Sequence, residues 1–326
     1  MPKNRYYSGA ASDHFDGRFR NLYPPTPDKG LGDVWRWRRS ATPVPWPKQV
    51  PVHPAMPIER SDAMRITLVG HATVLIQAGG LNLLTDPVWS DRCSPVQFAG
   101  PRRVCDPGVR FDDLPPIDAV LLSHNHYDHL DIATLRRLVS RHDPLIITPL
   151  GNDAIIRRAI PRARIATGDW WDTIAITDRA RATIVPAQHW SARGVADRRM
   201  ALWGGFHAAI GGQTVYFAGD TGLGDGSLFD CIRTRCGAPD VALLPIGAYA
   251  PRWFMADQHT NPADAVDILN RLQAHQAIAI HWGVWQLTDE GRDDPVHALA
   301  TALAAAGVAP ARFRHDEPGS VIIVAV

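Results

Sequence analysis

Six consecutive residues, His124-Asn125-His126-Tyr127-Asp128-His129, carry four side chains of metal-ligating type on one short segment. Three imidazoles so close together repel one another when protonated, whereas a bound cation favours keeping them neutral and together. By chance, a His-x-His-x-Asp-His match would arise in roughly two of a thousand chains of this composition, so an ordinary polar loop is a weak rival reading. The chemistry expected of these residues is half of a two-metal hydrolytic site, in which metal-activated water attacks an ester.

The elements around this segment read as its supports. Ala119-Val120-Leu121-Leu122-Ser123 is apolar and β-branched enough to be a buried strand, so the histidines leave its C-terminal end, where ligands gather in open α/β sheets. Six residues cannot fill two metal sites, and the strand-then-ligand pattern recurs. Residues 183–188 lead to His189, residues 215–219 to Asp220, and Ile278-Ala279-Ile280 to His281. Further upstream, residues 65–69, 73–77 and 81–85 read as strands of an antiparallel meander, broken by Gly70 and by Gly79-Gly80. Helices are expected over 132–140, 152–160 and 262–272, the last capped by Asn261. Strands are expected over 145–148, 182–185, 214–218, 241–246 and 277–280. No internal repeat is visible.

Composition sets the wider bounds. The 326 residues are 45% hydrophobic and 21% charged with a net charge of +1, which describes a globular chain with no electrostatic case for nucleic acid. Thirty Asp against three Glu, and 31 Arg against three Lys, are explained more simply by genome composition than by function. Cys93, Cys105, Cys231 and Cys236 are too few and scattered for a disulfide scaffold and read as free thiols. Residues 1–7 lack the apolar core of a secretory signal, and no run of 18 apolar residues occurs, so a cytoplasmic location, or one at the inner membrane surface, is expected.

Nine prolines fall between residues 24 and 57, with Trp35-Arg36-Trp37-Arg38-Arg39 and Trp46 among them. Such a stretch is expected to hold no long regular element and to wrap over the main domain. Its tryptophans read first as plain packing; interleaved with arginine they also suit an interface with lipid head groups and acyl chains. The expected division is an N-terminal extension over 1–60, packed on a hydrolase domain over 61–326.

The order His-x-His-x-Asp-His, His, Asp, His resembles the metallo-β-lactamase superfamily. Within it, the strings Gln188-His189-Trp190, Trp203-Gly204-Gly205-Phe206, Ala218-Gly219-Asp220-Thr221-Gly222, Pro251-Arg252-Trp253-Phe254-Met255 and Ile280-His281-Trp282-Gly283 are similar to the phospholipases D that hydrolyse N-acylphosphatidylethanolamine. The likeness begins at His14-Phe15-Asp16-Gly17 and covers most of the chain. It implies a four-layer αββα sandwich of the α/β class and two zinc ions, other divalent metals also suiting the donors. His124, His126 and His189 would hold one zinc, Asp128, His129 and His281 the other, and Asp220 would bridge them. A hydroxide bridging the metals would attack the phosphodiester, releasing N-acylethanolamine and phosphatidic acid.

Asp86, before Pro87, is expected to orient a ligand histidine, and His259 to bind phosphate or protonate the leaving oxygen. His71 reads weakly as a support behind the ligands. The same nucleophile could open lactones, carboxylic esters or smaller phosphodiesters. A lipid-binding protein with a structural zinc is a minor alternative, and a redox di-iron protein is disfavoured because that branch usually carries Glu where His126 stands. The partner expected is a phospholipid or another small ester, with peripheral membrane contact and an unspecified oligomeric state.

Overall fold

A computed structural model describes residues 4–23 and 29–324. Residues 1–3 of the N-terminus and Pro24, Pro25 and Pro27 of the proline-rich stretch lie outside the described residues. After helix α1 (Leu31–Ser40), strands β1 (Arg65–Gly70), β2 (Thr73–Ala78) and β3 (Leu81–Thr85) form the expected meander. The chain then alternates through β4 (Ala119–Leu121), α2 (Ile132–Arg141), β5 (Leu145–Pro149), α3 (Asn152–Ala159) and β6 (Ile165–Gly168). A second antiparallel run follows in β7 (Thr173–Thr177), β8 (Ala180–Val185), β9 (Gly205–Ile210) and β10 (Gln213–Phe217). The last third runs α4 (Ser227–Cys236), β11 (Val241–Pro245), α5 (Arg252–Met255), α6 (Pro262–Leu272), β12 (Gln276–Ile280), α7 (Asp294–Ala305), β13 (Phe313–Arg314) and β14 (Val321–Ile323).

These strands make two mixed seven-stranded sheets, ordered β14-β1-β2-β3-β4-β5-β6 and β13-β12-β11-β10-β9-β8-β7. Ile66, Ile76, Leu83 and Leu121 of the first sheet meet Ile184, Phe206, Phe217 and Ile280 of the second in the central core. The outer faces are covered in turn: Leu75, Leu84 and Val120 with Leu135, Leu138 and Ile156 on one side, and Tyr216, Leu244 and Ala279 with Phe229, Ile268 and Leu299 on the other. The result is the αββα sandwich. It explains why β2 and β11 are buried at every position, since a strand covered on both faces reads as a continuous apolar run.

Although no repeat is visible in the sequence, the two halves repeat in space. In each sheet three antiparallel pairings give way to three parallel ones, and the β2–β3 turn meets the β9–β10 turn. A Cβ on Gly79 would lie 2.6 Å from the Cα of Gly211, and the reverse holds equally, so only glycines allow the hairpins to touch.

The proline-rich stretch departs from expectation. Ten proline-free residues within it form α1, which buries no residue. Prolines exclude helix only where they stand, and 31–40 lies between them. Trp37 donates from Nε1 to Asp289 Oδ2 at 3.0 Å and stacks on Phe254, while Trp46 donates to the Glu290 carbonyl. Trp35, in contrast, remains 62% exposed.

Helix α6 begins where it was expected. Asn261 Oδ1 accepts from the Asp264 amide at 2.8 Å, and Asp264 Oδ2 accepts in return from the Asn261 amide at 3.1 Å, with Pro262 in the first turn. Asn261→Ala should therefore cost about 1 kcal/mol in chemical denaturation; an unchanged midpoint would show that packing alone holds this end of the helix.

Candidate active site

Four strand ends deliver the site. Residues 122–131 leave β4 as a tight loop in which the amides of His129 and Leu130 both donate to the His126 carbonyl. Arg193 braces the loop from beneath, donating from Nη1 to the carbonyls of Asn125 and Leu130 and lying 3.8 Å from the Tyr127 ring centroid. Asp131 closes it by capping α2, accepting from the Ala133 amide. His189 follows β8, Asp220 follows β10 and His281 follows β12.

The seven expected ligands converge in two groups, and His71 joins the second. His124, His126, His189 and Asp220 offer ligand atoms within 4.8 Å of one another, and so do Asp128, His129, His281 and His71. Asp220 faces both. Its Oδ2 lies 3.8 Å from His124 Nε2, 3.6 Å from His189 Nε2 and 3.1 Å from His129 Nε2, while its Oδ1 is 3.1 Å from His281 Nε2. In the second group, Asp128 Oδ2 is 3.4 Å from both His129 Nε2 and His281 Nε2 and 3.1 Å from His71 Nε2.

Several of these contacts are poor hydrogen bonds but good ligand geometry. Despite the short distances, His129 Nε2, His281 Nε2 and Asp220 Oδ1 are buried without a hydrogen-bond partner. His126 Nδ1 meets His124 Nε2 at 2.9 Å and His189 Nε2 at 3.2 Å, so three ring nitrogens converge that either share one N–H or together ligate a cation. Burial pushes His126 down to about 4 and His124 and His189 well below the usual imidazole range, leaving them neutral and able to ligate. The donor set thus fits metal ions.

Behind the ligands, hydrogen bonds set the imidazole tautomers. Asp86 is fully buried, and its Oδ2 accepts from His129 Nδ1 at 2.6 Å and from Ser123 Oγ at 2.5 Å. Ser123 Oγ in turn lies 2.9 Å from His124 Nδ1, and the Gln258 carbonyl accepts from His189 Nδ1 at 2.9 Å. Each arrangement turns an Nε2 lone pair towards the centre. Strain collects here as well: His71, Asp86 and His281 hold φ of 57°, 29° and 61°, the left-handed region that non-glycine residues avoid. Gly219 allows the Asp220 loop to approach, because a Cβ there would lie 2.7 Å from the Ser123 Cβ.

The sequence-derived residues therefore sort by position. His126, Asp128, Asp220 and His259 line a cavity of about 420 Å³. Asp86 does not face it and acts only through the imidazoles that it holds. His259 is pushed down to about 4 by burial and lies edge-on to His189. His71, read as a support, instead stands in the second ligand group, its ring 3.9 Å from that of His281. Sequence reasoning missed Arg193, Arg198 and Lys29; nothing marks one functional arginine among 31. The far walls of the cavity are Val34 and Trp37 of α1 with Phe254, Met255 and Leu287, and its rim carries Arg198 and Lys29, the latter ion-paired with Asp257 at 2.8 Å.

A family model described as "Beta-lactamase superfamily domain" matches residues 81–282. An N-acyl-phosphatidylethanolamine-hydrolyzing phospholipase D from Caenorhabditis elegans is 36% identical over 229 residues, covering 68% of this chain and 64% of that protein's length. An uncharacterized protein of Mycobacterium tuberculosis is 37% identical over 309 residues, covering 91% of this chain and 81% of its own. Among solved structures, an isothiocyanate hydrolase from Delia radicum gut bacteria superposes with a TM-score of 0.63 at 23% identity, covering 79% of this chain and 98% of that one; this likeness concerns the fold alone.

The Asp86 contacts carry a measurable consequence. Asp86→Ala removes the acceptor for His129 and Ser123 and should weaken metal binding by roughly 10- to 100-fold, read by competition with a chromogenic chelator. Unaltered affinity in a folded variant would mean that the loop alone orients the imidazoles.

Proposed function

Since the chain belongs to the beta-lactamase superfamily, its family model matching residues 81–282, we propose that it is a dinuclear zinc phosphodiesterase that hydrolyses N-acylphosphatidylethanolamine to N-acylethanolamine and phosphatidic acid. The observation that carries this reading is the cavity itself, where a metal-ligating wall of His126, Asp128 and Asp220 faces an apolar wall of Val34, Trp37, Phe254, Met255 and Leu287. A diacylated phosphodiester has that same division, a charged phosphate joined to long apolar chains. The nematode relative described as a phospholipase D of this specificity supports the choice of substrate.

His124, His126 and His189 would hold one zinc, Asp128, His129 and His281 the other, and Asp220 lies where it can serve both. Bound there, the metals would supply activated water and offset charge growing on the phosphoryl oxygens. The attack forms a bond from water oxygen to phosphorus and breaks the bond from phosphorus to the ethanolamine oxygen, which takes up a proton. His259 lines the cavity and is kept neutral by burial; its ring N–H can hydrogen-bond a phosphoryl or leaving oxygen. Arg198 and Lys29, the latter paired with Asp257 at 2.8 Å, border the phosphate end of the cavity, and Trp37, stacked on Phe254, excludes water from the acyl side.

Membrane contact belongs to the same reading. Among the described residues, no helix is long and apolar enough to cross a membrane. Beside the cavity mouth, however, α1 exposes Leu31 and Trp35, with Arg39 over the Trp35 ring and Arg36 over that of Trp253. Exposed tryptophan and arginine together suit an anionic lipid surface.

Metal-loaded protein given N-acylphosphatidylethanolamine in mixed micelles should release N-acylethanolamine and phosphatidic acid by mass spectrometry, and Asp220→Ala should lower the rate by at least about 1000-fold. Turnover of an acyl lactone but not of the phospholipid would move the assignment to the lactonase and esterase reading. Trp35→Ala should reduce sedimentation with anionic liposomes at an unchanged melting temperature, whereas Trp46→Ala should lower the melting temperature. Equal liposome binding by wild type and Trp35→Ala would discard α1 as the contact.

A further inference from the structure

A second cavity, of about 390 Å³, opens on the outer face of the second sheet and is lined by Trp171, Arg181, Thr183, His207, Thr214 and Arg235 among others. It is remote from the metal-ligating cluster along the strands: Thr214 stands at the start of β10, whereas Asp220 lies beyond its other end. Strand alternation explains why polar side chains gather here. On β8 and β9, Ala182, Ile184, Phe206 and Ala208 point into the central core, so Arg181, Thr183 and His207 point outward.

Three observations make this more than a polar surface. First, among the described residues the Arg181 guanidinium has no hydrogen bond or ion pair, and Arg235, in the last turn of α4, makes only a stacking contact, 4.4 Å from the Trp171 ring centroid. Second, His207 is 6% exposed, yet its Nε2 has no hydrogen-bond partner; burial and then the charge of Arg181 hold this imidazole below its usual range. Third, Trp171 adopts φ of 77°, unusual for a bulky residue, in presenting the ring on which Arg235 rests. Asp240, whose charge also reaches His207, is engaged by the Thr214 amide at 2.7 Å and hydroxyl at 2.9 Å.

We infer that this cavity is a binding site for a small phosphate monoester, its phosphate received between Arg181, Arg235 and His207. Two guanidinium groups and an imidazole match the charge and the three acceptor oxygens of that dianion better than a carboxylate's single charge. The volume exceeds what inorganic phosphate fills, leaving room for the body of a small phosphorylated molecule. The proposal is independent of the reaction at the metal-ligating cluster.

Phenyl phosphate titrated into the metal-loaded protein by calorimetry, with inorganic phosphate and phenylacetate as separate arms, tests this. One equivalent of phenyl phosphate binding should survive in folded Asp220→Ala protein, where the metal-ligating cluster is broken. Adding Arg181→Ala or Arg235→Ala should weaken that equivalent at least roughly tenfold, or ~1.4 kcal/mol, with the circular dichroism spectrum unchanged because both side chains are exposed. Inorganic phosphate should bind more weakly than phenyl phosphate, and phenylacetate weaker still. Absence of binding in Asp220→Ala, indifference to both arginine substitutions, or phenylacetate binding as tightly as phenyl phosphate would each overturn the inference.

Discussion

Asp220 is buried and Asp128 half-buried among the imidazoles of His71, His124, His126, His129, His189 and His281, and the electrostatics of that placement constrain everything around it. Carboxylates withdrawn from water cost several kcal/mol each unless charge is returned to them. Here imidazole nitrogens return part of it from 3.1 to 3.8 Å, although His129 Nε2 and His281 Nε2 have no hydrogen-bond alignment at those distances. Cations placed between them resolve both problems at once. The cluster is therefore arranged around positive charge, which a bound cation would supply and which, without one, falls to His129 and His281, both raised above the usual imidazole range by Asp220 and Asp128 despite their burial.

Holding such a cluster requires rigid supports, and the sandwich supplies them. β4, β8, β10 and β12 end at the same edge of the two sheets, so residues far apart in sequence arrive together. Short loops beyond those ends carry the ligands, and buried hydrogen bonds from Asp86, Ser123 and Gln258 fix which nitrogen points inward. The left-handed conformations of His71, Asp86 and His281 are maintained by this packing; each costs of order 1–3 kcal/mol in isolation. Stability elsewhere in the core offsets strain at the site.

Much of this was legible in local pattern. The apolar runs before His124, His189, Asp220 and His281 announced strands, and each does end within a few residues of its ligand. Asn261, followed by Pro262 and Asp264, marked the start of α6 because capping depends on adjacent residues. Elements without such signatures escaped. β9 was not expected, because its outward positions Gly205, His207 and Ala209 blur the alternation. Helix α1 was hidden by the prolines on either side of it, and β14 is too short to be recognised apart from its pairing with β1.

By itself the sequence determined the chemistry available: which side chains could ligate, that they follow strands, and that the strands alternate with helices. Those properties follow from residue type and short-range periodicity, which the chain carries in consecutive positions. Tertiary structure decided how they were combined. It turned Asp220 towards both ligand groups, brought His71 to Asp128 across 57 residues, placed Arg193 beneath the metal-binding loop, and set the apolar wall of α1 opposite the imidazoles. These juxtapositions depend on the register of two sheets and on how they pack face to face, and that information is distributed over the whole core rather than written at any one site.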